Sequence, residues 1–352
     1  MQTVHIRASR PYDALMGTKL LQQCGKLLSE RMKPCTMVLV SDSNVDPLYG
    51  DTVANSLQQA GFEVLRYVFP AGEASKNISS LSSLLEFMGE HHVTRSDCIA
   101  ALGGGVCGDL SGFAAAVYLR GIRYVQIPTT LLAAVDSSVG GKTAVDLASG
   151  KNLAGAFHQP SLVICDCDAF ATLPESVLRD GLSECVKYGV IADKELFRWF
   201  HKPVTPELLM EIVQRCVAIK AEIVEEDEFD NGRRRLLNYG HTAGHAIEAC
   251  SDFSISHGQG VAIGMAIMAR AAMRRGLCSQ ECANDILNTI SSLGLPTASP
   301  YPAEALINAA LSDKKRQGGN ITVIVPREIG RSETLELGVD ELLPFLRSGM
   351  EE

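Results

Sequence analysis

Ala100-Ala101-Leu102-Gly103-Gly104-Gly105-Val106-Cys107-Gly108-Asp109 places a glycine run directly after the short apolar segment 98–102. The segment reads as a buried strand, and the residues beyond the glycines read as the start of a helix. Glycines at such a junction let backbone N–H groups approach a pyrophosphate without Cβ obstruction, and the positive end of the helix favours the anion. Gly103, Gly105 and Gly108 satisfy the G-x-G-x-x-G spacing, although Asp109 sets a carboxylate where an uncharged residue is the safer choice. Three glycines also permit a tight turn with close helix–strand packing, so the loop taken alone leaves both readings open.

On either side of this junction, β-branched runs alternate with helical patterns. Residues 36–42, 62–68, 123–127 and 162–165 read as strands, with helices over 48–59 and 81–88. The alternation predicts an α/β fold with a Rossmann-like amino-terminal domain. Asp42, Thr129 and Thr130 follow strands, at the ends where open α/β sheets bind ligands. Residues 140–157, rich in Gly, Lys and Asn, read as a hairpin or functional loop. From Pro174 the period becomes helical, over 174–192, 206–226, 240–251, 257–275 and 279–292, with one late strand at 321–325. A chain of 352 residues exceeds the roughly 250–300 at which a single core stops growing. The expected division is therefore 1–172, an α/β domain, and 173–352, a mostly α-helical one.

Hydrophobic residues make up 46% and charged residues 21%, a globular balance with no compositional case for disorder. A net charge of -9 disfavours a general nucleic-acid or membrane-surface role while allowing a local basic pocket. No run of about 18 apolar residues is present, and the first residues do not form a charged segment followed by an apolar one. The expectation is a soluble cytoplasmic protein with reduced thiols: eleven cysteines are scattered from Cys24 to Cys282. Cys165 and Cys167 read as a strand end with small buried thiols rather than a zinc site.

Leu236 to Glu248 holds His241 and His245 one helical turn apart, with His257 further on and Glu184 upstream. Residues i and i+4 share a helix face, so both imidazoles can point into one cavity. A carboxylate and imidazoles from three segments suit an open divalent-metal site, but the H-x-x-x-H spacing does not say which histidines ligate. Arg120, Lys142, Lys151, Lys187, Lys220, Arg234, Lys314 and Lys315 recur beside glycine turns or on helix faces, and converging cations would hold a phosphate and a carboxylate.

The chain resembles the 3-dehydroquinate synthases of the sugar phosphate cyclase family, over about residues 36–325. The likeness rests on Gly103 to Asp109, Tyr118-Leu119-Arg120-Gly121, Pro128 to Thr143, Gly150-Lys151-Asn152-Leu153, the Glu184/Lys187 pair and Asn238 to His245. It implies an NAD-binding α/β domain, a mostly helical metal domain, an active site between them, and a homodimer. It implies Glu184, His241 and His257 as ligands of zinc or cobalt, leaving His245 to move protons. Asp42, Asn44, Glu73, Lys76, Gly104, Gly105, Val106, Asp109, Thr129, Thr130, Lys142 and Lys151 match NAD-site positions. Arg120, Lys142, Asn152, Lys187, Lys220, Arg234, Asn238, His245, Lys314 and Lys315 match substrate positions. The implied catalytic set is His245, Lys142, Lys187, Asn152, Asp136 and Asp230.

The implied reaction converts 3-deoxy-D-arabino-heptulosonate 7-phosphate to 3-dehydroquinate and phosphate. Its steps are oxidation by NAD, phosphate elimination, reduction, ring opening and intramolecular aldol closure. Two positions depart from the family pattern. Asp230 stands where glutamate is usual, shortening that carboxylate by about one methylene. Gln259-Gly260 stands where Glu-Ala is usual, which puts the support around His257 in question. Rival readings are another sugar phosphate cyclase, a metal-dependent NAD alcohol dehydrogenase, and a non-enzymatic NAD or metal sensor.

Overall fold

Cys98–Gly103 and Leu162–Asp166 are buried at every position, as strands covered on both faces require. In the computed structural model, which describes residues 1–312 and 320–350, both lie inside one seven-stranded sheet. The chain forms two compact units. The first comprises Met1–Pro174 and Lys220–Phe229, and the second Glu175–Ile219 and the residues from Asp230 onward. Lys220, in the second half of the sequence, thus packs with the first unit.

The first unit runs β1 (Gln2–Ile6), β2 (Tyr12–Gly17), α1 (Cys24–Ser29), β3 (Thr36–Asp42), α2 (Asp51–Gln59), β4 (Glu63–Phe69) and α3 (Ile78–Glu90). It continues through β5 (Cys98–Gly103), α4 (Gly105–Val117), β6 (Arg123–Pro128), β7 (Lys142–Leu147), β8 (Gly150–Phe157) and β9 (Leu162–Asp166). Sheet order is β1-β2-β9-β6-β5-β3-β4; β1 and β2 pair antiparallel, and every other neighbour pair is parallel. Alternation along β3 sends Met37 and Leu39 into a core shared with α1 and α2, and Val38 and Val40 into one shared with α3 and α4. Residues 140–157 contain the antiparallel β7/β8 hairpin.

This strand order positions the glycine loop. From β3 the chain crosses to β4 on one side, then returns to β5 on the other. The carboxyl ends of β3 and β5 therefore flank a topological switch point, where open α/β sheets leave a crevice. Asp42 ends β3, and Gly103 ends β5.

The second unit contains α5 (Glu175–Ala192), α6 (Lys194–Trp199), most of α7 (Pro206–Glu226), α8 (His241–Cys250), α9 (His257–Arg274), α10 (Gln280–Ser292), α11 (Ala303–Ser312), the antiparallel pair β10 (Asn320–Glu328) and β11 (Arg331–Gly338), and α12 (Val339–Met350). Glycines set its tightest helix contacts. A Cβ at Gly258 would stand 2.2 Å from the Cα of Asp180, so α9 begins almost against the backbone of α5. A Cβ at Gly264 would stand 1.9 Å from the carbonyl oxygen of Gly240, and one at Gly244 would stand 2.9 Å from that of Gly260. Helices α8 and α9 thus meet through paired glycines four residues apart on each partner. Among the described residues, no helix is long and apolar enough to cross a membrane.

Candidate active site

In the first unit, Gly104 is the N-cap of α4, and no side chain caps that helix. Its leading amides are those a bound anion would meet. The glycines divide the work. A Cβ at Gly108 would stand 2.6 Å from Gln126 Oε1, so this glycine serves helix–strand packing, whereas Gly104 and Gly105 meet only the side chains of Thr130 and Ser137, at 3.2 Å each. Thr129 donates its N–H to Gly103 O at 2.9 Å. Its hydroxyl is buried with no hydrogen-bond partner among the described residues, a polar group beside the loop that a ligand would satisfy. Asp42 accepts from the N–H groups of Asn44 and Val45 through Oδ1, at 2.9 and 3.1 Å. The donor set therefore fits a dinucleotide.

Asp109, the carboxylate that sat uneasily in the loop, is paired with Lys76 at 2.5 Å. Both are largely buried, and the neighbouring carboxylates, Asp109 first, outweigh burial and hold the Lys76 ammonium above the ordinary lysine range. Lys151 reaches Glu73 at 3.2 Å. Lys220, 5% exposed, donates to the carbonyl and carboxylate oxygens of Asp136 at 2.5 and 2.6 Å. Lys142 and Asn152 are exposed on the hairpin, Asn152 with a left-handed backbone at φ +55°. Arg120 lies elsewhere: it follows the carboxyl end of α4, about 20 Å along the helix from the glycine loop.

In the second unit, Glu184 on α5, His241 at the start of α8 and His257 at the start of α9 come together, their ligand atoms all within 4.8 Å of one another. Glu184 Oε1 lies 3.5 Å from His241 Nε2 and 3.4 Å from His257 Nε2. Lys187 pairs with the other carboxylate oxygen, Oε2. Each imidazole has its Nδ1 turned outward, His241 to Tyr239 O at 3.2 Å and His257 to Glu248 Oε1 at 2.7 Å, which leaves both Nε2 atoms facing the centre. Burial, aided by Lys187, pushes His241 well below the ordinary histidine value, so its ring is neutral and able to ligate. Burial also opposes a charge on His257, but its bonds to Glu184 and Glu248 prevail and raise it to about 10, so without a cation the ring carries a proton on Nε2 that a bound divalent metal would displace. One carboxylate oxygen and two imidazole nitrogens form the donor set of an open divalent-metal site.

The His245 ring packs against His241 and His257, with centroids 5.3 and 5.9 Å away, but it is not in the group formed with Glu184. Arg234 is 2% exposed, and Asn238 and Asp230 are half-buried. Lys314 and Lys315 lie outside the described residues.

Two family models match the chain in succession. The model for the 3-dehydroquinate synthase N-terminal region matches residues 66–180, and that for the 3-dehydroquinate synthase C-terminal region matches 181–316. The chain belongs to the 3-dehydroquinate synthase family. A 3-dehydroquinate synthase from Desulforamulus reducens is 43% identical over 332 residues, 92% of each chain. Among solved structures, a 2-deoxy-scyllo-inosose synthase complexed with carbaglucose-6-phosphate, NAD+ and Co2+ superposes with a TM-score of 0.88 at 26% identity, over 99% of this chain and 100% of that one. The 2-epi-5-epi-valiolone synthase from Streptomyces hygroscopicus subsp. jinggangensis 5008, with NAD+ and Zn2+ bound, gives 0.87 at 28%, over 96% of each.

Against this family background, one side chain of the site had escaped the sequence reading. Glu248 is 2% exposed and holds His257. The available signal was its spacing, seven residues after His241 and three after His245, which puts it on their face of α8. Support for His257 thus comes from α8, although Gln259-Gly260 departs from the usual pattern. Asp230, the other departure, has φ +62°, a left-handed conformation that aspartate tolerates better than longer side chains.

Proposed function

We propose that this protein converts 3-deoxy-D-arabino-heptulosonate 7-phosphate to 3-dehydroquinate and phosphate, as a carbon–oxygen lyase using NAD and a divalent metal, zinc or cobalt. The observation that carries the choice of reaction is 43% identity to a 3-dehydroquinate synthase across 92% of both chains, against 26–28% to synthases of other cyclised sugars. When bound, NAD accepts and returns a hydride, and the cation polarises the substrate oxygen at the carbon where the hydride moves.

The protein's own groups bind and orient. In the amino-terminal domain, 1–172, the amides of Gly104, Gly105 and Val106 and the Thr129 hydroxyl would receive the pyrophosphate, and the Asp42 carboxylate would suit ribose hydroxyls. In the domain 173–352, Glu184, His241 and His257 would hold the cation, their ligand atoms lying within 4.8 Å of one another. Lys187 pairs with Glu184 Oε2 and leaves Oε1 toward the two Nε2 atoms. Lys142, Asn152, Lys220, Arg234 and Asn238 are assigned to the substrate's phosphate, carboxylate and hydroxyls, with Arg120, Lys314 and Lys315 carried over by resemblance alone. Asp136 fixes the Lys220 ammonium. His245, beside both ligating rings yet outside the ligand group, is assigned to proton transfer through a ring nitrogen. The family resemblance also supports a cytoplasmic homodimer, and the net charge of -9 supports a protein with no nucleic-acid or membrane partner.

Incubation of the purified protein with the heptulosonate phosphate, catalytic NAD+ and Co2+ tests the reading. The expected result is one phosphate released per dehydroquinate formed, with no accumulation of NADH. Failure to form dehydroquinate, or stoichiometric NADH from simple alcohols, would refute it.

A further inference from the structure

We propose that Glu248 is a positioning residue of the metal centre: its carboxylate accepts the Nδ1 proton of His257 and holds that ring with Nε2 turned toward Glu184. The inference rests on the metal reading above and assigns a role to a residue outside the ligand set.

A carboxylate is seldom fully buried without a partner, because desolvation disfavours its charge. Glu248 is 2% exposed, and its Oε1 lies 2.7 Å from His257 Nδ1, while the opposite ring nitrogen lies 3.4 Å from Glu184 Oε1. His257 therefore bridges two carboxylates through its two nitrogens. His241 repeats the plan with the Tyr239 carbonyl in place of a carboxylate. An acceptor on Nδ1–H selects the tautomer whose Nε2 lone pair is free to ligate, locks ring rotation and increases ligand basicity.

The helix packing makes room for this contact. A Cβ at Gly260 would stand 3.3 Å from Glu248 Cγ and 3.0 Å from Gly244 O, distances at which one of the neighbours must yield. Glycine at 260, one of this chain's departures from the family pattern, leaves the Glu248 side chain its path between α8 and α9. One competing arrangement uses the same atoms: His245, Glu248 and His257 also offer ligand atoms within 4.8 Å of one another, so Glu248 would itself ligate if a second cation bound there.

Cobalt titration of the metal-free full-length protein separates these cases, with affinity measured by chelator competition and geometry by the visible absorption of Co2+. Wild type is expected to bind one equivalent. Glu248→Ala should weaken binding about 10- to 100-fold, the usual effect of losing a partner that orients a histidine ligand. Glu248→Gln is nearly isosteric and keeps an oxygen able to accept from Nδ1, so it should recover part of that loss while its metal-free thermal unfolding stays near wild type. The Gln variant keeps the test valid should the Ala variant fail to fold. Affinities of the folded variants within about twofold of wild type, with unchanged absorption, would overturn the proposal. So would two tight equivalents in wild type, one of them lost on substitution. A wild type that binds no Co2+ would instead refute the metal reading itself.

Discussion

Gly264→Ala places a methyl group where the backbone of α8 already runs. The added Cβ would lie 1.9 Å from Gly240 O, 2.8 Å from its carbonyl carbon and 3.0 Å from Gly244 N. The first distance is about 1.5 Å short of an ordinary contact, and the obstacle is backbone, which cannot rotate aside. Helices α8 and α9 must therefore part. Overpacking of this kind costs about 1–3 kcal/mol, and a backbone clash belongs at the upper end. For a unit of this size that is roughly 6–12 °C in Tm. The shift also reaches chemistry, because His241 directly follows Gly240; a displacement near 1 Å can slow turnover about 100-fold. Gly89→Ala is the control, since Gly89 lies within α3 with nothing within 4 Å of the added Cβ. It should stabilise by about 0.5–1 kcal/mol. Thermal unfolding with phosphate release at saturating Co2+ reads both effects. A Gly264→Ala protein matching wild type in both would refute the account of how α8 and α9 place the histidines.

Replacing Glu184 by Gln should abolish tight metal binding while NAD affinity, measured by fluorescence, stays within about twofold, because the NAD cradle belongs to the other unit. Gly105→Val should do the reverse, weakening NAD by about tenfold or more, near 1.4 kcal/mol, as its side chain fills the approach to the helix amides; metal affinity should be unchanged. Lys76→Met should leave Asp109 buried without its partner and lower stability by about 3–5 kcal/mol, and Lys76→Met/Asp109→Leu should recover much of that loss in urea unfolding. Burial holds His158 below the ordinary histidine value, with Nε2 bonded to Ile122 O at 2.8 Å. The unfolded chain therefore takes up the proton first, and stability falls as pH drops below about 6.5. His158→Gln should flatten the urea midpoint between pH 7 and 5.5; an unchanged slope would assign that pH dependence elsewhere.

The elements legible in the sequence are those whose pattern is produced by burial. Strand β5 is apolar at every position because helices cover both faces, and the helical runs at 206–226 and 257–275 correspond to Pro206–Glu226 and His257–Arg274. Strand β1 was not legible for the converse reason: it pairs only with β2 at the sheet edge, and four of its five residues are exposed or half-buried. Helix α12 carries Pro344 in its interior, a residue that reads locally as a helix breaker. The return of Lys220–Phe229 to the first unit leaves no local mark at all, because α7 is continuous in sequence and only tertiary packing assigns its residues.

Chemical identity and chemical orientation were unequally legible at the site. Glu184, His241 and His257 could be named as candidates from residue type and spacing, yet H-x-x-x-H could not decide between His241 and His245, because both share a helix face. In the structure Glu184 Oε1 is 3.4 to 3.5 Å from the Nε2 atoms of His241 and His257, whereas His245 groups with Glu248 and His257 instead. Orientation of the rings is harder to read, since it depends on acceptors behind them, a backbone carbonyl for one and Glu248 for the other. A backbone carbonyl is present at every residue and gives no sequence signal. A glutamate in a helix usually indicates a solvated face, and only its burial beside Gly260 of α9 shows otherwise. Substitutions at Gly260 and Glu248 should therefore be coupled. Alanine at 260 presses on the Glu248 side chain as well as on Gly244 O, so it should weaken cobalt binding more when Glu248 is present than once residue 248 is alanine. Strictly additive losses in that double-mutant cycle would mean that Gly260 serves helix packing alone.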